Sequence, residues 1–170
     1  MPNRLRELML LRHAKSDWKD QDLADIERPL SSRGKKNAIK MGKWIHHHHL
    51  TPDLILTSPA IRAQQTLRRI CNECSASTLT QDKLYLADQN QLLEILANAP
   101  QSAERVMIIG HNPGLETLLN YLVDDHNAGE TVLFPTCAMA HLIMPEDWSN
   151  IAKNSAKLQQ FIHPKSCKIL

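Results

Sequence analysis

Three apolar runs punctuate the chain: Leu8-Met9-Leu10-Leu11, Leu54-Ile55-Leu56 and Val106-Met107-Ile108-Ile109. None alternates with polar residues, so each reads as a strand covered on both faces, as in a parallel sheet. Between the runs the spacing turns helical. Ala38, Met41, Gly42 and Ile45 predict a helix capped by Ser31 or Ser32 and running to about His49, where Thr51-Pro52 breaks it. Ala60, Ala63, Leu67, Ile70 and Cys74 form the inward stripe of a second helix, opened by Ser58-Pro59 with Pro in its first turn. Arg62, Gln65, Thr66 and Arg69 point elsewhere. A third helix covers residues 89–98, and a fourth carries Leu115, Leu118, Leu119 and Leu122 behind an Asn112 cap and Pro113. Short strands are expected near 83–86, over 137–144 and over 158–162. Residues 14–31 stand apart as a polar excursion with Asp17, Asp20, Asp22 and Asp25, and excursions of this length are often functional.

Strand-then-helix alternation predicts an α/β sheet with helices on both faces. Neither a repeat nor a linker divides the sequence, so residues 1–170 are expected to form one domain. In such sheets ligands bind beyond the carboxyl ends of the strands. Three polar clusters fall there: Arg12-His13, Ser58 to Arg62, and His111-Asn112.

Composition narrows the picture. Hydrophobic residues make up 42% and charged residues 22%, as in ordinary globular proteins. With three Trp, two Tyr and two Phe, the core must be built mainly from aliphatic side chains. A net charge of +2 and the lack of a Lys/Arg-rich block argue against nucleic acid or membrane as partner. No apolar run approaches the roughly 18 residues of a membrane span, and the N-terminal apolar stretch is too short for a signal peptide, so a cytoplasmic location is expected. The four cysteines need no disulfide framework and are expected as thiols, with Cys71 and Cys74 packing inward.

The three clusters together suggest phosphoryl chemistry. A phosphoryl group in transfer spreads charge over its equatorial oxygens, so catalysis consists largely of positioning and electrostatic stabilisation. Arg12 and Arg62 offer planar forks for those oxygens, Arg62 at a helix start where an anion is favoured. A neutral His13 beside these cations could attack phosphorus, and His111 could donate to a phosphoryl oxygen from the opposite side. That arrangement requires neither a metal nor another cofactor.

The motifs Arg12-His13-Ala14-Lys15-Ser16, Arg28-Pro29-Leu30 followed by Arg33-Gly34, Thr57 to Thr66 with its Ser-Pro-x-x-Arg, and Gly110-His111-Asn112-Pro113 resemble those of the histidine phosphatase superfamily, in order and in spacing. Within it the chain is most similar to the small bacterial phosphohistidine phosphatases of the SixA type. The resemblance implies a single-domain, phosphoglycerate-mutase-like α/β sandwich with a mostly parallel central sheet. It implies His13 as a transiently phosphorylated nucleophile, with Arg12, Arg62 and His111 completing the phosphate pocket. It also points to Arg28, Ser16 and Asn112 for substrate binding. Larger members carry a carboxylate general acid in a segment inserted between the second and third motifs, and this chain is too short there. Asp88 is the nearest candidate acid, its alternative role being a helix N-cap, and Glu94 is another.

The implied substrate is phosphohistidine on a signalling or phosphotransfer protein. A broad small-molecule phosphomonoesterase and a non-catalytic phosphate-binding module are the alternatives. His46 to His49 and the Cys71-x-x-Cys74 pair also raise a metal-binding reading. Four consecutive helical residues face around the helix, so a solvated helix end is expected instead.

Overall fold

The computed structural model describes residues 5–123 and 133–168. Six strands form one sheet: β1 (Arg6–Arg12), β2 (Leu54–Thr57), β3 (Ser77–Thr80), β4 (Arg105–Gly110), β5 (Met139–Met144) and β6 (Lys157–Ile162). Their order is β3-β2-β4-β1-β5-β6. The first four are mutually parallel, and β5 and β6 add an antiparallel edge. Four helices cover it: α1 (Ser32–His47), α2 (Ile61–Ile70), α3 (Gln89–Ala97) and α4 (Gly114–Leu122).

The unbroken apolar runs are explained by the two cores they serve. Successive strand residues face opposite sides of a sheet. Leu8, Leu10, Leu54, Leu56, Val106 and Ile108 pack against α3 and α4. Their neighbours Met9, Leu11, Ile55, Met107 and Ile109 pack against α1 and α2. Both faces are buried, so no polar residue is tolerated in alternation.

Several expectations are corrected in detail. The strand expected near 83–86 lies earlier, at β3, while Asp82–Leu84 is a 3₁₀ turn that buries Leu84. β3 is an edge strand with every residue exposed, so burial imposed no apolar run on it. α2 begins at Ile61, leaving Pro59 outside the helix and placing Arg62 at its second position. α4 begins at Gly114 with Pro113 in the cap position, and the Asn112 amide caps no backbone N–H but donates to the Glu116 carboxylate and the Phe134 carbonyl. Cys71 and Cys74, expected as thiols, are joined as a disulfide. α2 ends at Ile70, so this pair lies in the turn beyond it, where the chain curls back and brings the Cα atoms to 5.0 Å. Cys137 and Cys167 remain buried thiols.

The N-terminus of α1 is clamped onto the chain that leaves β1. Ser31 caps the helix by accepting from the Gly34 N–H at 3.0 Å. The Lys15 carbonyl accepts from the Ser31 N–H at 2.9 Å and from its hydroxyl at 3.1 Å. A Cβ at Gly34 would meet that carbonyl oxygen at 2.1 Å, so only glycine permits the approach. At the other end of α1, His48 stacks on Trp44 with ring centroids 4.1 Å apart.

Candidate active site

β2, β4 and β1 are adjacent, and all three point their carboxyl ends to the same rim. Arg12 pairs in register with Gly110, so the residues that follow them, His13 and His111, emerge side by side. Their ring centroids are 5.1 Å apart. Ser58 follows β2, and α2 delivers Arg62 between the two histidines. The Arg62 Nε–H donates to His13 Nε2 at 3.3 Å, and its Nη2 lies 3.4 Å from His111 Nδ1. Arg12 ends β1 and donates from Nη1 to the Phe134 carbonyl at 2.9 Å. The strand order therefore unites Arg12, His13, Arg62 and His111 around an open cleft of about 230 Å³.

Hydrogen bonding fixes the proton on each ring. His13 Nδ1–H donates to the Ala14 carbonyl at 2.7 Å. Its Nε2, which receives the Arg62 N–H, is then a bare lone pair. On His111 the roles are reversed. Nδ1 accepts from Arg62, so Nε2–H donates to the Ser58 hydroxyl at 2.7 Å.

Both imidazoles are held neutral. Burial, with smaller contributions from the Arg62 and Arg12 charges, takes His13 from 6.5 down to about 4. Burial again, then the His13 and Arg62 charges, takes His111 down to about 3. In an NMR titration both rings should therefore still be neutral at pH 5.5; a protonated His13 there would contradict the burial argument. The unfolded chain, with ordinary histidines near 6.5, binds more protons than the folded one between that value and about 4. Stability should rise with pH across this window and be lost as pH falls through it.

The polar face of α2 explains how residues 14–31 reach the site. Thr66 Oγ1 accepts from the Ala14 N–H at 3.0 Å, and Gln65 Oε1 accepts from the Leu30 N–H at 2.8 Å. Between these anchors, Arg62 donates to the Asp25 carbonyl at 2.6 Å and to its carboxylate at 3.0 Å. The Tyr85 hydroxyl also donates to that carboxylate. The Tyr85 bond, with the Arg62 bond and charge adding to it, holds the Asp25 carboxyl below the ordinary range, so it is ionised at neutral pH. Asp25, Thr66 and Tyr85 thus belong to the site although none was among the candidate residues, and Ser58, from the cluster after β2, bonds His111. Only the adjacency of Thr66 to Arg62 at i, i+4 hinted at one of them.

The other candidates divide. Ser16 and Asn112 line the cleft. The Asn112 amide donates to Glu116 at 3.0 Å and to the Phe134 carbonyl at 2.9 Å. Arg28 is set back: its guanidinium lies 4.0 Å over the Trp18 ring, and Trp18 rather than Arg28 lines the cleft. Asp88 caps α3, accepting from the Gln91 N–H at 2.9 Å, and is not among the cleft-lining residues. Glu94 is paired with Lys83 at 3.7 Å. Trp18 and Leu86 put exposed apolar surface on the rim, and Leu86 sits at φ 51°, a left-handed conformation costly for a side chain of its kind.

Among the described residues no helix is long and apolar enough to cross a membrane. The sequence profile of the histidine phosphatase superfamily (branch 1) matches residues 8–85. A solved structure of a candidate phosphohistidine phosphatase SixA from Nakamurella multipartitia superposes with a TM-score of 0.83 at 29% identity, covering 94% of this chain and 96% of that one. Phosphohistidine phosphatase SixA of Escherichia coli is 27% identical over 147 residues, 82% of this chain and 86% of its own. An uncharacterised Mycobacterium tuberculosis protein is 29% identical over 161 residues, 91% of this chain and all of its own length.

Proposed function

Because the chain belongs to the histidine phosphatase superfamily, we propose that it is a phosphatase acting through a phosphohistidine intermediate on His13. Its preferred substrate is phosphohistidine carried by a signalling or phosphotransfer protein. The observation that carries the reading is the His13 ring: a neutral imidazole with its Nδ1 proton committed to a carbonyl and its Nε2 lone pair facing Arg62.

In the first step the Nε2 lone pair forms the bond to phosphorus as the bond to the leaving nitrogen breaks. Arg12 and Arg62 hold the equatorial oxygens. The Nε of Arg12 is buried with no partner among the described residues, a donor free for such an oxygen. Once phosphate takes the Arg62 fork, the Ser58 hydroxyl can reverse its bond and donate to His111 Nε2. The ring proton is lost from Nε2 to solvent water in the open cleft and one is taken up from that water at Nδ1, from which His111 donates to phosphate. In the second step water attacks phosphorus and frees His13. The guanidinium charges make a metal unnecessary, so turnover is expected to survive a chelator.

Substrate class follows from proton supply. Asp25 is an ionised carboxylate, Asp88 is a helix cap and Glu94 is tied to Lys83. An alkoxide leaving group needs a proton donor. The imidazole leaving phosphohistidine has a conjugate acid of pKa about 6.5 and is protonated from solvent near neutral pH. The apolar rim of Trp18 and Leu86 also suits a flat ring better than a polyol.

The test is to quench turnover of a labelled phosphohistidine protein without acid and map the label. It is expected on His13, stable to base and lost in acid. No label there, or hydrolysis of sugar phosphates far faster than of phosphohistidine, would overturn the reading.

A further inference from the structure

Next to the catalytic cleft lies a second hollow of about 390 Å³, whose walls include Lys15, Arg33, Lys40, Thr136, His163 and Lys165. Lys15 and Thr136 line both hollows, so the two share a wall. Four cations face the second one, and no carboxylate lines it. Among the described residues none of the four is in an ion pair; the acids that do pair bind Arg62, Lys83, Arg105 and His141.

Local structure gives no reason for this charge. Arg33, Asn37 and Lys40 lie at i, i+4 and i+7, one stripe along α1. The first turn of α1 carries no acidic residue. A helix macrodipole favours anions there and opposes Arg33. Four cations around one concavity, unpaired among the described residues and one of them set against the dipole, suit an external anion.

The hollow is also held in register with the nucleophile. Lys15 is two residues beyond His13, and its carbonyl is clamped by Ser31 against Gly34, one residue from Arg33. Because Lys15 and Thr136 form the wall between the two hollows, an anion in the second lies a few residues of extended chain from the phosphoryl site. An extended polypeptide bridges that distance; a compact phosphoester with one anionic group does not.

We propose that this hollow is a docking subsite for carboxylate side chains flanking the phosphorylated residue of a protein substrate. The proposal rests on the phosphatase reading and adds a partner chemistry to it: an acidic segment, with an Asp or Glu two or three residues from the phosphohistidine. Lys40 and Lys165, which line only the second hollow, recognise it by charge.

The test compares two phosphohistidine peptides, one with Asp at those flanking positions and one with Ala, on the wild-type chain and on Lys40→Glu/Lys165→Glu. Wild type is expected to prefer the acidic peptide by about tenfold in kcat/KM, through KM, with the preference fading at about 0.5 M salt. The double variant is expected to lose the preference while hydrolysing phosphoramidate, which reaches only the first cleft, within about twofold of wild type. The same peptides in unphosphorylated form, fluorescein-labelled, are bound to His13→Ala by anisotropy, a readout independent of turnover. Equal use and equal binding of both peptides by wild type, or a preference that survives the double variant, overturns the proposal. So does tighter binding of anionic vesicles or a single-stranded oligonucleotide than of the acidic peptide. If neither peptide is hydrolysed, the phosphatase reading falls and the anisotropy alone decides the hollow.

Discussion

Replacing His13 by alanine is expected to lower phosphohistidine hydrolysis by on the order of 10⁴-fold while phosphate still binds. The reason is a division of labour within the cleft. In the proposed mechanism His13 supplies the bond-forming lone pair, whereas Arg12 and Arg62 supply most of the donors to the oxygens. Single-turnover kinetics measures the loss, and calorimetry with inorganic phosphate measures what remains. Near-wild-type turnover in the variant would remove His13 from the chemistry. A wild-type protein that binds phosphate but turns over nothing would favour the non-catalytic binding module.

Arg62→Lys is expected to cost about 10²-fold or more in kcat/KM although the charge is kept. A guanidinium here serves several partners at fixed angles: His13 Nε2, His111 Nδ1, the Asp25 carbonyl and the Asp25 carboxylate. An ammonium cannot meet that geometry. The Asp25 carboxylate would then depend on Tyr85 alone for its bond, and the hold on residues 14–31 would weaken at its centre. Hydrogen exchange across those residues should quicken with the loss of activity. A lysine variant with wild-type kinetics and wild-type exchange would show that the fork is dispensable.

The buried strands were legible because burial on both faces leaves an unmistakable trace: every residue of Leu8 to Leu11 and Val106 to Ile109 is apolar and fully buried. The exposed edge strand β3 left none, and the neighbouring Lys83 to Leu86 segment, with its buried Leu84, imitated one. The four central residues were legible for a related reason. Arg-His and Gly-His-Asn-Pro each follow an apolar run directly, a position that a parallel sheet turns into a binding rim. Asp25 was not legible. It sits among other aspartates in a polar stretch, and nothing local separates the one that meets Arg62 from those that meet water. Thr66 was hidden in the same way, and Ser58 was marked by its cluster but not in its role, because these roles are bonds to Ala14 and His111, more than fifty residues away in the sequence.

What the amino-acid order determined alone was the class of fold and the chemical parts: apolar runs for parallel strands, and two histidines and two arginines placed just past strand ends or at a helix start. Only the tertiary structure decided how those parts act. The order β2-β4-β1 sets His13 beside His111 with Arg62 between them. Burial lowers both histidines far enough to keep them neutral, and distant partners choose which nitrogen carries the proton. Periodicity reports what water is excluded from, whereas tautomers, ion pairs and cleft walls depend on which distant groups the fold brings within about 3 Å of each other.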